Sequence, residues 1–366
     1  MHSTEQSNNR FVSIDLIRVL AMLMVVVLHT ILNFTIRTDF FATPVWFLLE
    51  PIVALSKIGV LLFFMISGFL VLNLAKSIGE NLTKAKKRIV IPLLFFSAVT
   101  ILIEYARFMQ TEQHALPFWQ AQLMRITNFP SSPLWFLVVL LFLYALNPLW
   151  QLVFLKDKSP AVARYCTSLA LVFTIVAAGI KYPSLKADIF FNALTGWLGY
   201  VFFYFYGGLV KNGWIQTHST KTNLGLVALG LFATMLGDYF TAFAHSHSRT
   251  FIWDGYFSEF LSVPVIIMAI GAFNLLTSAR VSDVLNRALS RLGRRIIVQL
   301  AELSYGVYLI HTFVVTALYE LGFDFNNLTM NAYIFSALNY SLVFGISLIV
   351  TYVVRKIPLV RAVVGE

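Results

Sequence analysis

The chain has 366 residues, of which 58% are hydrophobic and only 12% charged, with a formal net charge of +10. That balance is too apolar for an ordinary soluble domain, and no basic, aromatic-interleaved soluble segment exists to bind nucleic acid. Aromatic residues make up 15%, and the apolar runs, such as Val19 to Leu28 and Leu342 to Val354, are long and unbroken, whereas a transmembrane barrel needs alternating strands of about ten residues.

The reading is therefore an all-α, polytopic membrane protein of about ten transmembrane helices. A helix needs about 20 largely apolar residues to cross the bilayer, because lipid leaves every backbone polar group to be satisfied internally. Residues 1–11 form a polar tail expected in the cytoplasm. The apolar stretch that follows is longer than the core of a signal peptide, about 7 to 15 residues, so it reads as a retained first helix. The expected spans are 12–34, 45–75, 89–110, 133–154, 160–180, 189–210, 222–244, 256–276, 297–321 and 332–354. The second is long enough to be kinked or to begin at the interface. One transmembrane domain thus covers 12–354, and 355–366 forms a second cytoplasmic tail. The lone Cys166 excludes an intrachain disulfide.

Lys and Arg are held on the cytoplasmic side of a membrane. With the N-terminus inside, 18 of them fall in inner segments and 6 in outer ones, the remaining Arg18, Lys57 and Arg164 lying within helices. The split favours an even number of spans with both termini in the cytoplasm.

An ionisable side chain within a span costs at least about 2.5 to 3.5 kcal/mol, so each is a candidate functional group. Arg18 and His29 are eleven residues apart in the first span. At 100° per residue this is three turns plus about 20°, which puts both on one face about 16 Å apart along the axis. Asp15 lies near that face and is placed to pair with Arg18. The plainer alternative is that Arg18 snorkels to the interface and His29 is a packing histidine, although imidazole is the side chain best suited to general-base work near neutral pH. Glu302, Glu259, Asp238 and Glu104 lie in or near spans as possible orienting carboxylates, and interface positions would explain most of them. The pair in His245-Ser246-His247 lacks a third ligand nearby, so no metal is assigned.

The pattern Asp15-x-x-Arg18-x10-His29 resembles the first-helix signature of the acyltransferase family 3 membrane O-acyltransferases. Four further matches follow in order: LLFFMISGFLV over 61–71 with Ser67-Gly68-Phe69, the basic turn KAKKRIVIP over 84–92, PLWFLVVLLFLY over 133–144 with Trp135, and LSYGVYLIH over 303–311 ending on His311. Together they cover nearly the whole chain. The resemblance implies transfer of an acyl group, usually acetyl from acetyl-coenzyme A, to a hydroxyl of an envelope polysaccharide, glycolipid or related acceptor, in a bacterial inner membrane. It also implies that His29 is the catalytic base and Arg18 its essential partner.

Coenzyme A is polyanionic and cytoplasmic, so Lys84, Lys87 and Arg88, with Arg18, are the expected donor-binding cations; the bland reading of the turn is topology alone. The family's turn carries Arg-x-x-Arg, whereas Ala85 stands three residues before Arg88 here, and lysine lacks the bidentate fork for phosphate. Ser67 is a further candidate. Trp135 reads as packing or interfacial belt, and His311 as structural, with a place in the same cavity as the alternative. A transporter or flippase of an envelope precursor, with Asp15, Arg18 and His29 lining its path, is the competing class, and a membrane sensor the third.

The topology predicts that, on a Cys166→Ser background, cysteines placed near residues 120, 250 and 326 are labelled from outside. Labelling of Asn286→Cys from the outer side would overturn the ten-span arrangement.

Overall fold

The computed structural model describes residues 12–110, 117–127, 134–155, 157–181, 196–215, 218–246, 255–328, 330–358 and 360–365. The N-terminal tail, residues 189–195 of the expected span 189–210 and His247 lie outside them. Among the described residues there is no strand. Seven helical segments among the described residues are long and apolar enough to cross a membrane, or nine if each of two bent pairs counts as one span.

The helices are α1 (Val12–Thr30), the single turn α2 (Leu32–Thr35), α3 (Pro44–Ser56), α4 (Ile58–Val71), α5 (Ile78–Ala85), α6 (Ile91–Met109), α7 (Phe118–Thr127), α8 (Leu134–Ala145) and α9 (Asn147–Phe154). They continue as α10 (Pro160–Lys181), α11 (Val201–Asn212), α12 (Thr220–Ser246), α13 (Val263–Thr277), α14 (Ala279–Ala288), α15 (Arg291–Glu320) and α16 (Ala332–Lys356). The second span runs as one segment over Pro44–Val71; α3 carries Pro51 inside it, and Lys57, itself in helical conformation, is the junction with α4. Two departures from the expected spans have local causes. The span 133–154 bends by 59° where Asn147-Pro148 opens α9, because proline cannot donate to the preceding turn. The third span starts at Ile78, about three turns before the expected residue 89, since Ser77 and Glu80 form a reciprocal cap on α5, with Ser77 N–H donating to Glu80 at 2.8 Å and Glu80 N–H to Ser77 Oγ at 3.2 Å.

Burial separates a central layer from a lipid-facing shell. Helices α1, α3–α4 and α11 are largely buried, with every residue of α11 from Val201 to Leu209 inside. In contrast α6, α10, α12 and α16 expose large apolar side chains such as Leu94, Leu102, Phe232 and Ile349, the expected face of a helix toward hydrocarbon. At the centre α4 crosses α11 at backbone contact. A Cβ on Gly68 would fall on the Tyr204 carbonyl, and one on Gly207 on the Met65 carbonyl, the small-residue packing that substitutes for hydrophobic drive inside a membrane. This crossing explains the glycine of the Ser67-Gly68-Phe69 motif.

Candidate functional site

The basic turn is set by a proline and a tyrosine. Residues Lys86–Val90 form a π-helical turn between α5 and α6, and Pro92 has no N–H to give the Arg88 carbonyl four residues back. The Tyr305 hydroxyl of α15 donates to that carbonyl at 2.6 Å. Such turns often mark functional positions, and this one rotates the cations relative to each other. Lys84 and the partly solvent-facing Arg88 line a cavity of about 500 Å³ with Arg18, Ser67, Tyr144 and Arg355, whereas Lys87 is not part of the lining. The volume is within the usual range for small-molecule sites.

A buried amide network holds this turn in place. Asn147 Nδ2 donates to Asn81 Oδ1 at 2.8 Å, Asn81 Nδ2 to Gln151 Oε1 at 3.2 Å, and the Tyr204 hydroxyl to Asn147 at 3.1 Å; Gln151 in turn donates to the Leu74 carbonyl. The bend at Asn147 therefore docks α9 on the start of α5, one turn from Lys84. A buried network of this kind is costly unless every member is paired, so it fixes one position for the turn.

Arg18 reaches the cavity from α1 with its guanidinium 3.3 Å from the buried Asp15 carboxylate. The Asp15–Arg18 pairing expected from spacing is thus present. Four cations converge here, against Glu302 on the rim, which lies 3.7 Å from Arg355. Sequence reasoning missed Arg355, Tyr144 and Tyr305 as cavity residues. Arg355 was assigned to a tail because it ends an apolar run, and only the fold of residues 361–364 back onto α6 and α16 brings Val364 and Gly365 to the cavity wall.

His29 lies outside this cavity, about 16 Å further along α1, and the structure sets it against His311 with ring centroids 4.9 Å apart. His311 is fully buried. Its Nδ1 is 2.6 Å from the Tyr308 carbonyl and 3.2 Å from that of Val307. Both are acceptors, so Nδ1 carries the proton and Nε2 is left as an unprotonated acceptor with no hydrogen-bond partner. Two imidazoles from distant parts of the chain thereby share one site.

Between the cavity and the histidine pair lies an aromatic layer. Phe63 and Phe136, both cavity residues, pack on Tyr308 at 6.0 and 5.0 Å, and Tyr308 packs on His311 at 5.8 Å. Beyond the pair Lys57 acts electrostatically on His29 and sits 5.7 Å above the Phe260 ring. Trp135 packs with tilted rings on Phe260 and Tyr200 at 5.7 and 5.3 Å and is not among the residues that line the cavity. Glu104 accepts from Gln122 at 2.8 Å, away from both clusters. Among the described residues no group of three or more His, Cys, Asp or Glu is arranged to hold a metal ion.

The split between Lys84, Arg88 and Lys87 is testable by ligand binding to the purified protein. Lys84→Gln with Arg88→Gln should weaken binding of coenzyme A at least about tenfold, since a hydrogen bond to a charged group contributes about 1.5 to 3 kcal/mol. Lys87→Gln should leave affinity within about twofold, because a solvated charge outside the site adds only a screened contribution. Equal losses in both variants would mean that the turn acts through its overall charge.

The family comparison agrees with the motif order. The acyltransferase family 3 model, described as an acyltransferase domain, matches residues 11–356, nearly the whole chain. No curated protein and no solved structure matches significantly. The matched region contains Asp15, Arg18, His29, the Lys84–Arg88 turn, His311 and Arg355, and on this coverage the chain belongs to acyltransferase family 3.

Proposed function

We propose that this membrane acyltransferase takes an acyl group, acetyl in the simplest case, from acyl-coenzyme A and transfers it to a hydroxyl of an envelope polysaccharide, glycolipid or related acceptor. In this reading the protein sits in a bacterial cytoplasmic membrane with the basic cavity facing the cytoplasm. The observation that carries it is the placement of two unlike sites on α1, a four-cation cavity at Arg18 and a histidine pair at His29, on one face of one helix. The span between them is about 16 Å, a distance suited to the extended pantetheine arm of coenzyme A.

The chemistry follows from that placement. Arg18, Lys84 and Arg88 hold the diphosphate, Arg18 in an orientation fixed by Asp15. The arm passes the aromatic layer at Tyr308 and brings the thioester carbonyl to the histidines. His29 accepts the proton of the acceptor hydroxyl as its oxygen attacks the carbonyl carbon. The carbon–sulfur bond then breaks, and the thiolate leaves with the proton from His29, so no net proton is consumed. His311, its tautomer fixed by the Tyr308 and Val307 carbonyls, offers Nε2 as an acceptor on a ring whose centroid lies 4.9 Å from that of His29. Phe63, Phe136 and Tyr308 exclude water, which limits thioester hydrolysis.

With membranes that retain native envelope acceptors and acetyl-labelled coenzyme A, His29→Gln should lower transfer per folded molecule by about 10² to 10⁴ while the amount of folded protein stays near that of the wild type. Full transfer by the variant would exclude His29 as base. Movement of an unmodified envelope precursor across the membrane, with no label incorporated, would favour a flippase.

A further inference from the structure

Beyond the histidine pair is a second buried ionic group that the acyl-transfer scheme does not use. Glu50 of α3 and Asp238 of α12 are each 1% exposed, and their carboxyls face each other within hydrogen-bonding reach. None of the four oxygens has a hydrogen-bond donor. Three donors lie beside the carboxyls, the hydroxyls of Thr35 and Ser258 and the Ser258 N–H, but each is directed to a carbonyl: Thr35 Oγ1 to Leu32 at 3.1 Å, and Ser258 Oγ and N–H to Gly255 at 3.0 and 3.1 Å. Lys57, at the junction of α3 and α4, acts on both carboxyls and also on Glu259 of the segment before α13 and on His29 of α1. These are the charged groups that bear on the pair from the elements around it.

Two ionised carboxylates in contact inside a protein repel strongly, and one lysine cannot neutralise both. A single proton resolves the geometry, because it turns one carboxyl into the missing donor and leaves one negative charge against one positive charge. We propose that Glu50 and Asp238 form a proton-binding site, a carboxyl pair that shares one proton at neutral pH with Lys57 as its counter-charge. The proton belongs to the pair rather than to either residue. Intramembrane carboxyls of this kind are typical of proton-handling sites. On the acyl-transfer reading, the shared proton keeps surplus negative charge away from His29, so that the imidazole stays neutral and able to accept a proton.

Infrared spectroscopy of the full chain in lipid nanodiscs tests this without substrate, so the result stands apart from the success or failure of the acyl-transfer reading. At neutral pH in potassium buffer the wild type should show the C=O stretch of a protonated carboxylic acid, shifted in D2O and lost as pH is raised. Glu50→Gln and Asp238→Asn should each abolish it, because the remaining carboxyl then ionises beside Lys57 and accepts from the new amide. If one variant fails to fold, the other and the wild-type titration decide. Absence of the band in the wild type, its retention in both variants, or its loss on addition of sodium at constant pH would overturn the proposal, the last indicating a cation held between the carboxylates.

Discussion

The cost of a charged or unpaired polar group in a low-dielectric interior governs where everything else in this bundle can go. Helix α1 carries Asp15, Arg18 and His29 through the buried layer, and each of them requires neighbours that accept it. The elements packed against α1 supply those neighbours in two separate places. At one end Asp15 pairs with Arg18 and the cavity opens to Lys84, Arg88 and Arg355. At the other, His311 comes up against His29, with Lys57, Glu50 and Asp238 beyond it. The apolar layer of Phe63, Phe136 and Tyr308 keeps the two apart.

The irregular backbone of the bundle serves the same arrangement. The Asn147-Pro148 bend docks α9 on α5 through a paired amide network. The π-turn before Pro92 then sets Arg88 beside Lys84 at the cavity and leaves Lys87 off its wall. Tyr305 ties that turn to α15, the helix that also presents Tyr308 and His311. A displacement of α15 relative to the basic turn would therefore act on the cavity, the aromatic layer and the histidine pair together. The close crossing of Gly68 with Tyr204 and of Gly207 with Met65 gives the rigid centre against which these parts are set.

Much of this was legible from spacing and hydropathy. The eleven-residue interval placed Arg18 and His29 on one face of α1, the Asp15–Arg18 pair followed from a one-turn separation, and the unusual length of the second span was visible in its apolar run. The ordered motifs were sufficient for the family. What could not be read was every feature that depends on contacts distant in sequence. His311 reads as an ordinary buried histidine until α15 is laid against α1. Arg355 looks like a topological charge until residues 361–364 fold back. Glu50 and Asp238 are separated by 188 positions, and neither has a local motif. The difference among Lys84, Lys87 and Arg88 lay in a backbone irregularity that charge composition cannot encode.

The central claim is that one helix links a site for the diphosphate of the donor to the histidines that meet its acyl group. A cryo-EM structure of the protein in nanodiscs, bound to a non-hydrolysable thioether analogue of acetyl-coenzyme A, tests it most directly. The account predicts the diphosphate against Arg18, Lys84 and Arg88, the arm passing Tyr308, and the analogue's acyl carbonyl within reach of the His29 and His311 rings. An analogue bound away from those cations, or with its sulfur remaining on the cavity side of the Phe63–Phe136–Tyr308 layer, would contradict it.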